Sequence, residues 1–353
     1  MAATNSTPNA KPRLLTGDRP TGPLHLGHLL GSLQSRVAMQ DSHECFLIVA
    51  DLHTLTTRPQ REHVAKLPRH VRAVVLDLLA AGIDPDKTTI YLQSGVPAVY
   101  DLAILLQMLI PAAHLRPLAS LRQMAAVAGI AEDAMSLGLL GYPVLQAADI
   151  LMARAEVIPV GGDNLGHVEI AREVAQRFNE TYAPVFPLPE ARSSRVELLP
   201  GVGPDEASAS KMSKSAGNTI DLGDPPAVVA TKLRTLTGAR LLGFVDALVE
   251  DRDEAAAIRR EHAAGSLSDN AVHDRLIHAT EAALGPLRER RAAFEADRGR
   301  VEEILVDGTI RAREVAYRTL QAVREAMGLE PLWQGLIAEA ERRAEERKKP
   351  YSS

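Results

Sequence analysis

The chain has 353 residues, of which 46% are apolar and 24% are charged, with 40 basic residues against 45 acidic ones. This length fits two domains, and the high apolar content with a net charge of only −5 excludes a wholly disordered chain. The charge balance argues against a generally basic nucleic-acid binder, although it leaves room for a local basic patch.

The N-terminal segment and the cysteine content indicate the cellular compartment in which the protein is expected. Residues 1–12 are polar and lack the apolar stretch of a secretory signal, and no apolar run reaches the roughly 20 residues of a membrane span. Cys45, the single cysteine, cannot form an internal disulfide. These features predict a cytoplasmic protein without a membrane partner, in which residues 1–11 form a disordered leader.

Short apolar runs alternate with longer amphipathic runs in the first half of the chain. The predicted strands are Arg13–Thr16, Cys45–Ala50, Thr88–Gln93 and Val157–Val160. The predicted helices are Gly27–Gln40, Glu62–Ala81, Tyr100–Met108, Tyr142–Ala153 and Asn164–Asn179. Pro68 is placed to interrupt the second of these helices. This alternation is typical of the α/β class, with a parallel sheet covered by helices.

The sequence changes character near residue 190. Prolines, glycines and serines over 190–218 predict a long mobile loop, and loops of that length are usually functional. Beyond Pro226 the strand signals vanish, and alanine-, arginine- and glutamate-rich sequence predicts a second, all-helical domain. A further helix is predicted over Thr309–Met327. The predicted division is 12–224 for the α/β domain, 225–304 for the helical domain, 305–330 for a C-terminal helix packing back, and 335–353 for a charged tail, expected as a solvated or frayed helix.

The first motif is Thr21-Gly22-Pro23-Leu24-His25-Leu26-Gly27-His28, between the first predicted strand and the first predicted helix. Glycines let a ligand approach the backbone, and unpaired N–H groups at a helix start attract phosphate. His25 and His28 are expected on one side of this turn, where they could donate hydrogen bonds to a triphosphate. By itself, the motif is equally compatible with a turn that carries two solvent-exposed histidines.

The second motif is Lys211-Met212-Ser213-Lys214-Ser215, inside the predicted loop. Two lysines three residues apart form a flexible cationic clamp that could close on phosphates and stabilise an in-line substitution. By itself, the segment could equally be a solvated basic loop. The occurrence of both motifs in this order favours the functional interpretation, because a motif gains weight from its context.

With these two motifs, the chain resembles the class I aminoacyl-tRNA synthetases. The segments 141–151, 157–164 and 167–179 and the helix 311–329 are most similar to the bacterial tryptophanyl-tRNA synthetases, with the tyrosine-specific enzymes as nearest relatives. The resemblance implies a Rossmann-like catalytic domain, a helical domain that binds the tRNA anticodon, and a homodimer. It also implies ATP, L-tryptophan and tRNA(Trp) as ligands, Mg²⁺ carried by ATP, and no DNA partner.

The resemblance assigns roles to residues of this chain and implies no metal ligand among them. The expected catalytic residues are His25, His28, Lys211 and Lys214. The expected ATP-binding residues are Gly17, Arg19, Thr21, Gly27, His28, Asp163, Met212, Ser213 and Lys214. The expected substrate-binding residues are Asp149, Gln146, Tyr142, His53 and Asn164. Asp149 is expected to accept the indole N–H, since a buried carboxylate left without a donor would reject a side chain that lacks one.

Local alternatives stay open at several positions. Asp149 could cap or pair within its own helix, and Tyr142 and His53 could be ordinary packing residues. Gly17 could be a plain turn glycine, and Asp163 could cap the helix that follows it.

Asn164 departs from the family pattern, which has a glutamine there, and this predicts a weakened substrate affinity or an altered inhibitor profile. Seven arginines are candidates for tRNA phosphate contacts or for ordinary pairing with neighbouring glutamates, namely Arg288, Arg290, Arg291, Arg311, Arg313, Arg318 and Arg324. Four other functions compete with a tryptophan-specific tRNA ligase. They are a paralogue or inhibitor-resistant duplicate that forms the adenylate, a tyrosine-specific relative, a nucleotidyltransferase and a non-catalytic binding protein.

Overall fold

A computed structural model gives the fold and describes residues 11–161, 165–193, 199–203, 211–249 and 251–348. Asp163 and Asn164, both predicted to bind ligands, lie outside the described residues. The predicted leader up to residue 10 and the end of the predicted tail, residues 349–353, lie outside them as well.

A five-stranded parallel sheet forms the centre of the α/β part, in the strand order β3-β2-β1-β4-β5. The strands are β1 Arg13–Asp18, β2 Glu44–Val49, β3 Thr88–Leu92, β4 Val157–Val160 and β5 Glu190–Ser193. The inner strands are continuous aliphatic runs because helices cover both faces of the sheet. The predicted fold class is confirmed, and the four predicted strands are found within two residues of their predicted ends.

The fifth strand, β5, is a feature that the sequence analysis missed. It pairs with β4 from Val157↔Glu190 to Val160↔Ser193, where the prediction placed the start of a loop. The prediction of an unbroken loop over 190–218 is therefore wrong at its beginning. β5 lies at the edge of the sheet, so its Glu-Ala-Arg-Ser sequence needs no apolar run to be held there by backbone hydrogen bonds.

Helices make up most of the remaining structure. Those up to residue 181 are α1 Leu26–His28, α2 Gln34–Met39, α3 Asp51–Leu55, α4 Arg61–Val64, α5 Leu67–Ala81, α6 Ala98–Gln107, α7 Ala112–Leu115, α8 Ala119–Val127, α9 Leu137–Leu140, α10 Tyr142–Met152 and α11 Leu165–Thr181. A π-helical segment, Leu29–Leu33, joins α1 to α2. The later helices are α12 Pro226–Leu233, α13 Gly238–Leu248, α14 Arg252–Ala263, α15 Asp269–Ala296, α16 Arg300–Ala326 and α17 Leu329–Lys348.

Two of the predicted helices have different bounds in the structure, and each difference has a physical reason. Pro68 lies in the first turn of α5, where a missing N–H costs nothing, so the predicted helix Glu62–Ala81 divides into α4 and α5. The helix predicted over Thr309–Met327 begins nine residues earlier, because Gly299 adopts a left-handed φ of 90° that ends the preceding segment. The predicted charged tail forms a largely exposed helix as part of α17, up to residue 348.

The helical C-terminal region packs directly on the sheet. Leu47 of β2 and Ile90 of β3 share one buried cluster with Phe244 of α13. The helix α16 approaches β3 so closely that a Cβ on Gly308 would lie 1.9 Å from the Ile90 carbonyl oxygen. Thr309 Oγ1 accepts a 3.0 Å hydrogen bond from the neighbouring strand N–H of Leu92. A glycine followed by a hydroxyl residue therefore fixes α16 against this edge.

The strand order places a ligand site at the carboxyl end of β1. The chain runs outward from β1 through β2 to β3 and returns to β4 on the other side of β1. Open parallel sheets bind ligands beyond the strand ends at such a reversal. The first motif begins three residues after β1. Within the described residues, no helix is long and apolar enough to cross a membrane.

Candidate active site

Antiparallel backbone pairing holds the two sequence motifs side by side. Leu26 N donates to the carbonyl oxygen of Ile220 at 2.8 Å, and Leu222 N donates to that of Leu24 at 3.0 Å. Residues 24–26 belong to the first motif, and residues 220–222 follow the second motif within a few positions. The geometry thus brings together two segments almost 200 residues apart in the sequence.

Lys214 joins the motifs through its side chain as well. Its Nζ donates a 2.7 Å hydrogen bond to the carbonyl oxygen of Gly22. Burial lowers the pKa of Lys214 to about 8, although the carboxylates of Asp18, Asp221 and Asp77 act in the opposite direction. The site therefore holds a cation whose charge is adjusted by its surroundings, at the place where the phosphates of a ligand are expected.

His25 and His28 lie in contact, with ring centroids 3.8 Å apart. His25 is buried, and its backbone N–H donates to His28 Nδ1 at 3.2 Å, so the alternative of two solvent-exposed histidines is wrong. Burial, reinforced by the neighbouring histidine and lysines, lowers the pKa of His25 to about 2. Burial and Lys214 lower that of His28 to about 4, against the opposing charge of Asp18. Both rings are neutral at pH 7, so they can donate hydrogen bonds but carry no positive charge.

Three other predicted residues of the nucleotide site, Gly27, Met212 and Ser213, are held by defined local contacts. A Cβ on Gly27 would lie 3.1 Å from two atoms of the His25 ring, so glycine is what allows the imidazole to fold back over the helix start. Met212 is buried and its N–H donates to the Leu199 carbonyl oxygen at 3.0 Å. Ser213 N donates to Asn218 Oδ1 at 2.8 Å. These bonds anchor the described part of the second motif.

The remaining predicted residues of the nucleotide and catalytic groups lie in β1, in the turn after it and at the start of the second motif. Gly17 lies inside β1, where a Cβ would lie 2.0 Å from the carbonyl oxygen of Ile48, so the alternative of a plain turn glycine is wrong. Arg19 and Thr21 form the turn that follows the strand, with a 2.8 Å bond from Thr21 N to the Arg19 carbonyl oxygen. Lys211 is exposed and forms an isolated antiparallel bridge with Pro200.

Asp18 is a member of the site that the sequence analysis missed. Arg36 NH1 contacts its Oδ2 at 2.5 Å, and both side chains are largely buried. Burial alone raises the pKa of Asp18, but the combined charges of Arg36, His28 and Lys214 outweigh it and hold the pKa below its ordinary value. The available signal was its position, because acidic residues at the end of the first strand face the ligand crevice.

A second group of side chains surrounds Asp149. Its side chain on α10 is buried, and its Oδ2 accepts a 2.7 Å hydrogen bond from Gln93 Nε2 and lies 2.9 Å from His53 Nε2. Its Oδ1 is buried without a hydrogen-bond partner among the described residues. Burial raises the pKa of Asp149, while His53 and Gln93 act against this. The partners come from α3 and from the end of β3, so the alternative that Asp149 pairs within its own helix is wrong.

The ring of Tyr142 lies between His53, a partner of Asp149, and His167, which belongs to a second group of hydrogen-bonded side chains. Its ring centroid lies 4.3 Å from that of His53 and 5.3 Å from that of His167. His167 Nδ1 contacts Gln146 Oε1 at 2.9 Å, and its Nε2 contacts Ser120 Oγ at 2.6 Å. Since an amide oxygen only accepts, Nδ1 carries a proton and donates to Gln146, while the serine hydroxyl holds Nε2.

Two partners in this group, Gln93 and His167, were not predicted from the sequence. Gln93 is the last residue of the predicted strand Thr88–Gln93, and a polar residue ending a buried strand was a usable signal. His167 lies on α11 and had no local signal beyond its position on the buried face. The structure brings Asp149, His53, Tyr142 and Gln146 together as the sequence analysis expected, and their binding role stays a prediction.

Most of the seven candidate arginines contact groups within the protein. Arg290 Nε donates to the Ala80 carbonyl oxygen at 2.6 Å. Arg288 pairs with Glu281 at 2.6 Å, and Arg324 with Glu330 at 3.4 Å. Arg311 reaches the carbonyl oxygen of Pro85 at 3.3 Å. Arg313 donates to the carbonyl oxygen of Gly95, and Arg291 contacts the carboxylates of Asp77 and Glu295.

The parallel sheet, its reversal at β1 and the paired histidine and lysine motifs define a class I aminoacyl-tRNA synthetase. Residues 7–239 match the family described as tRNA synthetases class I (W and Y), and the chain belongs to this family.

Several known proteins are similar to it along nearly the whole chain. A tryptophan–tRNA ligase from Treponema pallidum (strain Nichols) is 47% identical over 332 residues, covering 90% of this chain and 97% of its own length. A tryptophan–tRNA ligase from Chlamydia caviae is 39% identical over 347 residues, covering 94% and 99%. The crystal structure of tryptophanyl-tRNA synthetase from Campylobacter jejuni complexed with ADP and tryptophan has a TM-score of 0.77 and 29% identity, covering 90% of this chain and 100% of that one.

Proposed function

We propose that this chain is a tryptophan–tRNA ligase. It activates L-tryptophan with ATP to tryptophanyl-adenylate and pyrophosphate, and it then transfers tryptophan to tRNA(Trp). The observation that carries the recognition of a ring hydrogen-bond donor is the buried Oδ1 of Asp149, which has no hydrogen-bond partner among the described residues. A tyrosine hydroxyl could donate to it as well, so the choice of tryptophan rests on the similarity to the tryptophan–tRNA ligases of Treponema pallidum and Chlamydia caviae. Membership of the W and Y family supports the reaction class, and the ligands of the similar Campylobacter jejuni structure support ATP and tryptophan.

Asp149 is proposed to select the substrate by accepting the indole N–H. Two donors, from His53 and Gln93, already occupy its Oδ2, which fixes the carboxylate and leaves Oδ1 for one more donor. A buried acceptor left unpaired costs about 1–3 kcal/mol, so phenylalanine is excluded by its missing N–H. Tyr142 is proposed to form the wall of the indole pocket, with Gln146 oriented by His167 for the polar end of the substrate.

The first step is proposed to join the tryptophan carboxylate to the α-phosphate of ATP. A carboxylate oxygen forms the new bond to phosphorus while the bond to the pyrophosphate oxygen breaks. His25 and His28 contribute as neutral hydrogen-bond donors, and Lys211 and Lys214 contribute positive charge. Holding both reactants in line supplies much of the rate, and no side chain has to act as a covalent nucleophile.

The remaining nucleotide contacts and the metal ion complete the proposed ATP site. Gly17, Arg19, Thr21, Met212 and Ser213 are proposed to line the ATP site. Mg²⁺ is proposed to arrive with the ATP phosphates and to neutralise charge on the departing pyrophosphate. The described residues contain no group of three acidic, histidine or cysteine side chains that could hold a metal ion.

The partners and compartment follow from the same proposal. The helical region 225–304 is proposed to contact the tRNA anticodon, and a cytoplasmic homodimer without DNA or membrane partners is proposed as the working form. Exposed apolar side chains spaced four residues apart lie on α6 and at its C-terminal cap, and this stripe supports a second copy as partner. The stripe consists of Tyr100, Ile104 and Met108.

Tryptophan-dependent exchange between ATP and pyrophosphate, followed by charging of tRNA(Trp), tests this function. Both activities are expected with tryptophan, and neither is expected with phenylalanine. Exchange with tyrosine instead would select the tyrosine-specific relative. Exchange without charging would select a paralogue that serves another acceptor, and the absence of exchange would reject the proposal.

A further inference from the structure

Asp77 is a fully buried carboxylate that links the first motif to the helical C-terminal region. Its side chain on α5 has 0% exposure. One oxygen, Oδ2, accepts a 2.7 Å hydrogen bond from Leu24 N, the residue directly before His25. The other, Oδ1, pairs with the guanidinium of Arg291 on α15. A single carboxylate thus fixes the motif backbone with one oxygen and contacts the helical region with the other.

Leu24 is also where the two motifs meet. Its carbonyl oxygen accepts the 3.0 Å hydrogen bond from Leu222 N, and its own side chain is completely buried. A displacement of Leu24 would therefore move His25 and the chain that leaves the second motif at the same time. Lys214 lies close enough to Asp77 for the two charges to affect each other.

The charge of Asp77 needs compensation because an isolated buried carboxylate is costly. Arg291 supplies it from α15, with about a fifth of its side chain exposed, and it is also held by Glu295 at 3.3 Å. Without Arg291, Asp77 would have two options. It could stay ionised and draw Lys214 away from its present partner, or it could take up a proton and hold the Leu24 N–H less strongly.

We propose that Asp77 and Arg291 are positioning residues for ATP, which hold the first motif in the geometry that binds the triphosphate. The helical region thereby takes part in the activation step through one side chain of α15. This inference rests on the proposed function, because it assumes that ATP binds between the two motifs.

The test compares KM for ATP with KM for tryptophan in pyrophosphate exchange by the full chain. Arg291→Gln is expected to raise KM for ATP about tenfold and to leave KM for tryptophan unchanged, because a small displacement of a binding group is enough for such a loss. Arg291→Lys keeps the positive charge, and its KM for ATP is expected to lie close to that of the wild type. Combining Arg291→Gln with Asp77→Asn is expected to be milder than Arg291→Gln alone, since the amide still accepts from Leu24 N and leaves no unpaired charge.

Arg290→Gln is the matched control. Arg290 neighbours Arg291 and also bonds to α5, but its partner is the Ala80 carbonyl oxygen and it has no link to Leu24. The inference is overturned if Arg291→Gln leaves KM for ATP within twofold, raises both KM values equally, or matches Arg290→Gln. Equilibrium binding of ATP to the wild type and to Arg291→Gln gives the same comparison without catalysis. A wild type without exchange would reject the proposed function, and the binding comparison would still decide this inference.

Discussion

Lys214 of the second motif donates a 2.7 Å hydrogen bond to the carbonyl oxygen of Gly22 in the first motif. The cation is therefore held at the first motif, and its burial lowers its pKa to about 8. An ammonium group binds phosphate only while it is protonated, so this contact has a consequence for the pH dependence of ATP use.

The value of kcat/KM for ATP is expected to fall as the pH rises through about 8, because this parameter reports the ionisation of the free enzyme. Lys214→Arg stays protonated, so its pH profile is expected to lack this fall, whatever its absolute rate. Pyrophosphate exchange measured from about pH 6.5 to about pH 9.5 with saturating tryptophan checks this. A wild-type profile that stays level over the whole range would contradict it.

Asp149→Asn is expected to lower kcat/KM for tryptophan about 10- to 100-fold, since hydrogen bonds to a charged acceptor contribute about 1.5–3 kcal/mol. The KM for ATP should change little, because Asp149 belongs to the other group of side chains. Asp101→Asn on the exposed side of α6 is a suitable control and should behave like the wild type. Equal losses for both substrates would indicate a general structural effect instead of lost recognition.

The histidine pair is expected to make the fold sensitive to acid. The folded pKa values of His25 and His28, about 2 and about 4, lie below the ordinary value of 6.5, so the unfolded chain binds more protons between these limits. The free energy of unfolding should therefore decrease as the pH falls below 6.5, by up to about 1.4 kcal/mol per pH unit for each histidine. Urea unfolding measured at a series of pH values tests this, and His28→Asn should flatten the slope. An unchanged slope in that variant would refute the assignment.

Ser120→Ala is expected to raise KM for tryptophan about threefold, because the hydroxyl that fixes His167, and through it Gln146, is lost. Ser35→Ala provides a matched control, since the hydroxyl of Ser35 on α2 donates to the Ser32 carbonyl oxygen of the π-helical segment, away from His167. Steady-state exchange kinetics with varied tryptophan separate the two variants. If the two variants gave the same KM for tryptophan, the hydrogen bonds from Ser120 through His167 would have no role in orienting the Gln146 amide.

Gly308→Ala is expected to destabilise the fold by about 3 kcal/mol, because the added methyl group would lie 1.9 Å from the Ile90 carbonyl oxygen. Gly335→Ala, inside the helix α17, would bring its added Cβ within 4 Å of no described atom beyond its chain neighbours and its own helix backbone, and it should stabilise the fold by up to about 1 kcal/mol. Thermal unfolding of both variants measures the contrast. Similar effects of the two changes would show that α16 can move away from β3 without cost.

The local sequence determined much of the architecture. Aliphatic runs such as Cys45–Ala50 identify a buried strand because a parallel sheet is covered on both faces. The strand β5 could not be found in this way, since an edge strand is held by backbone hydrogen bonds and its side chains carry little pattern. The position of Pro68 was informative, because proline is tolerated in the first turn of a helix and excluded from its interior.

By itself, the sequence determined the class of this protein and the residue types of its site, because motif chemistry and hydrophobic periodicity are local properties of the chain. Only the tertiary structure decided which groups meet. Asp18 with Arg36, Gln93 with Asp149, and Arg291 with Asp77 join residues far apart in sequence. Burial, which sets the protonation of His25, His28 and Lys214, is likewise a property of the packed molecule, since it depends on how much solvent the neighbouring elements exclude.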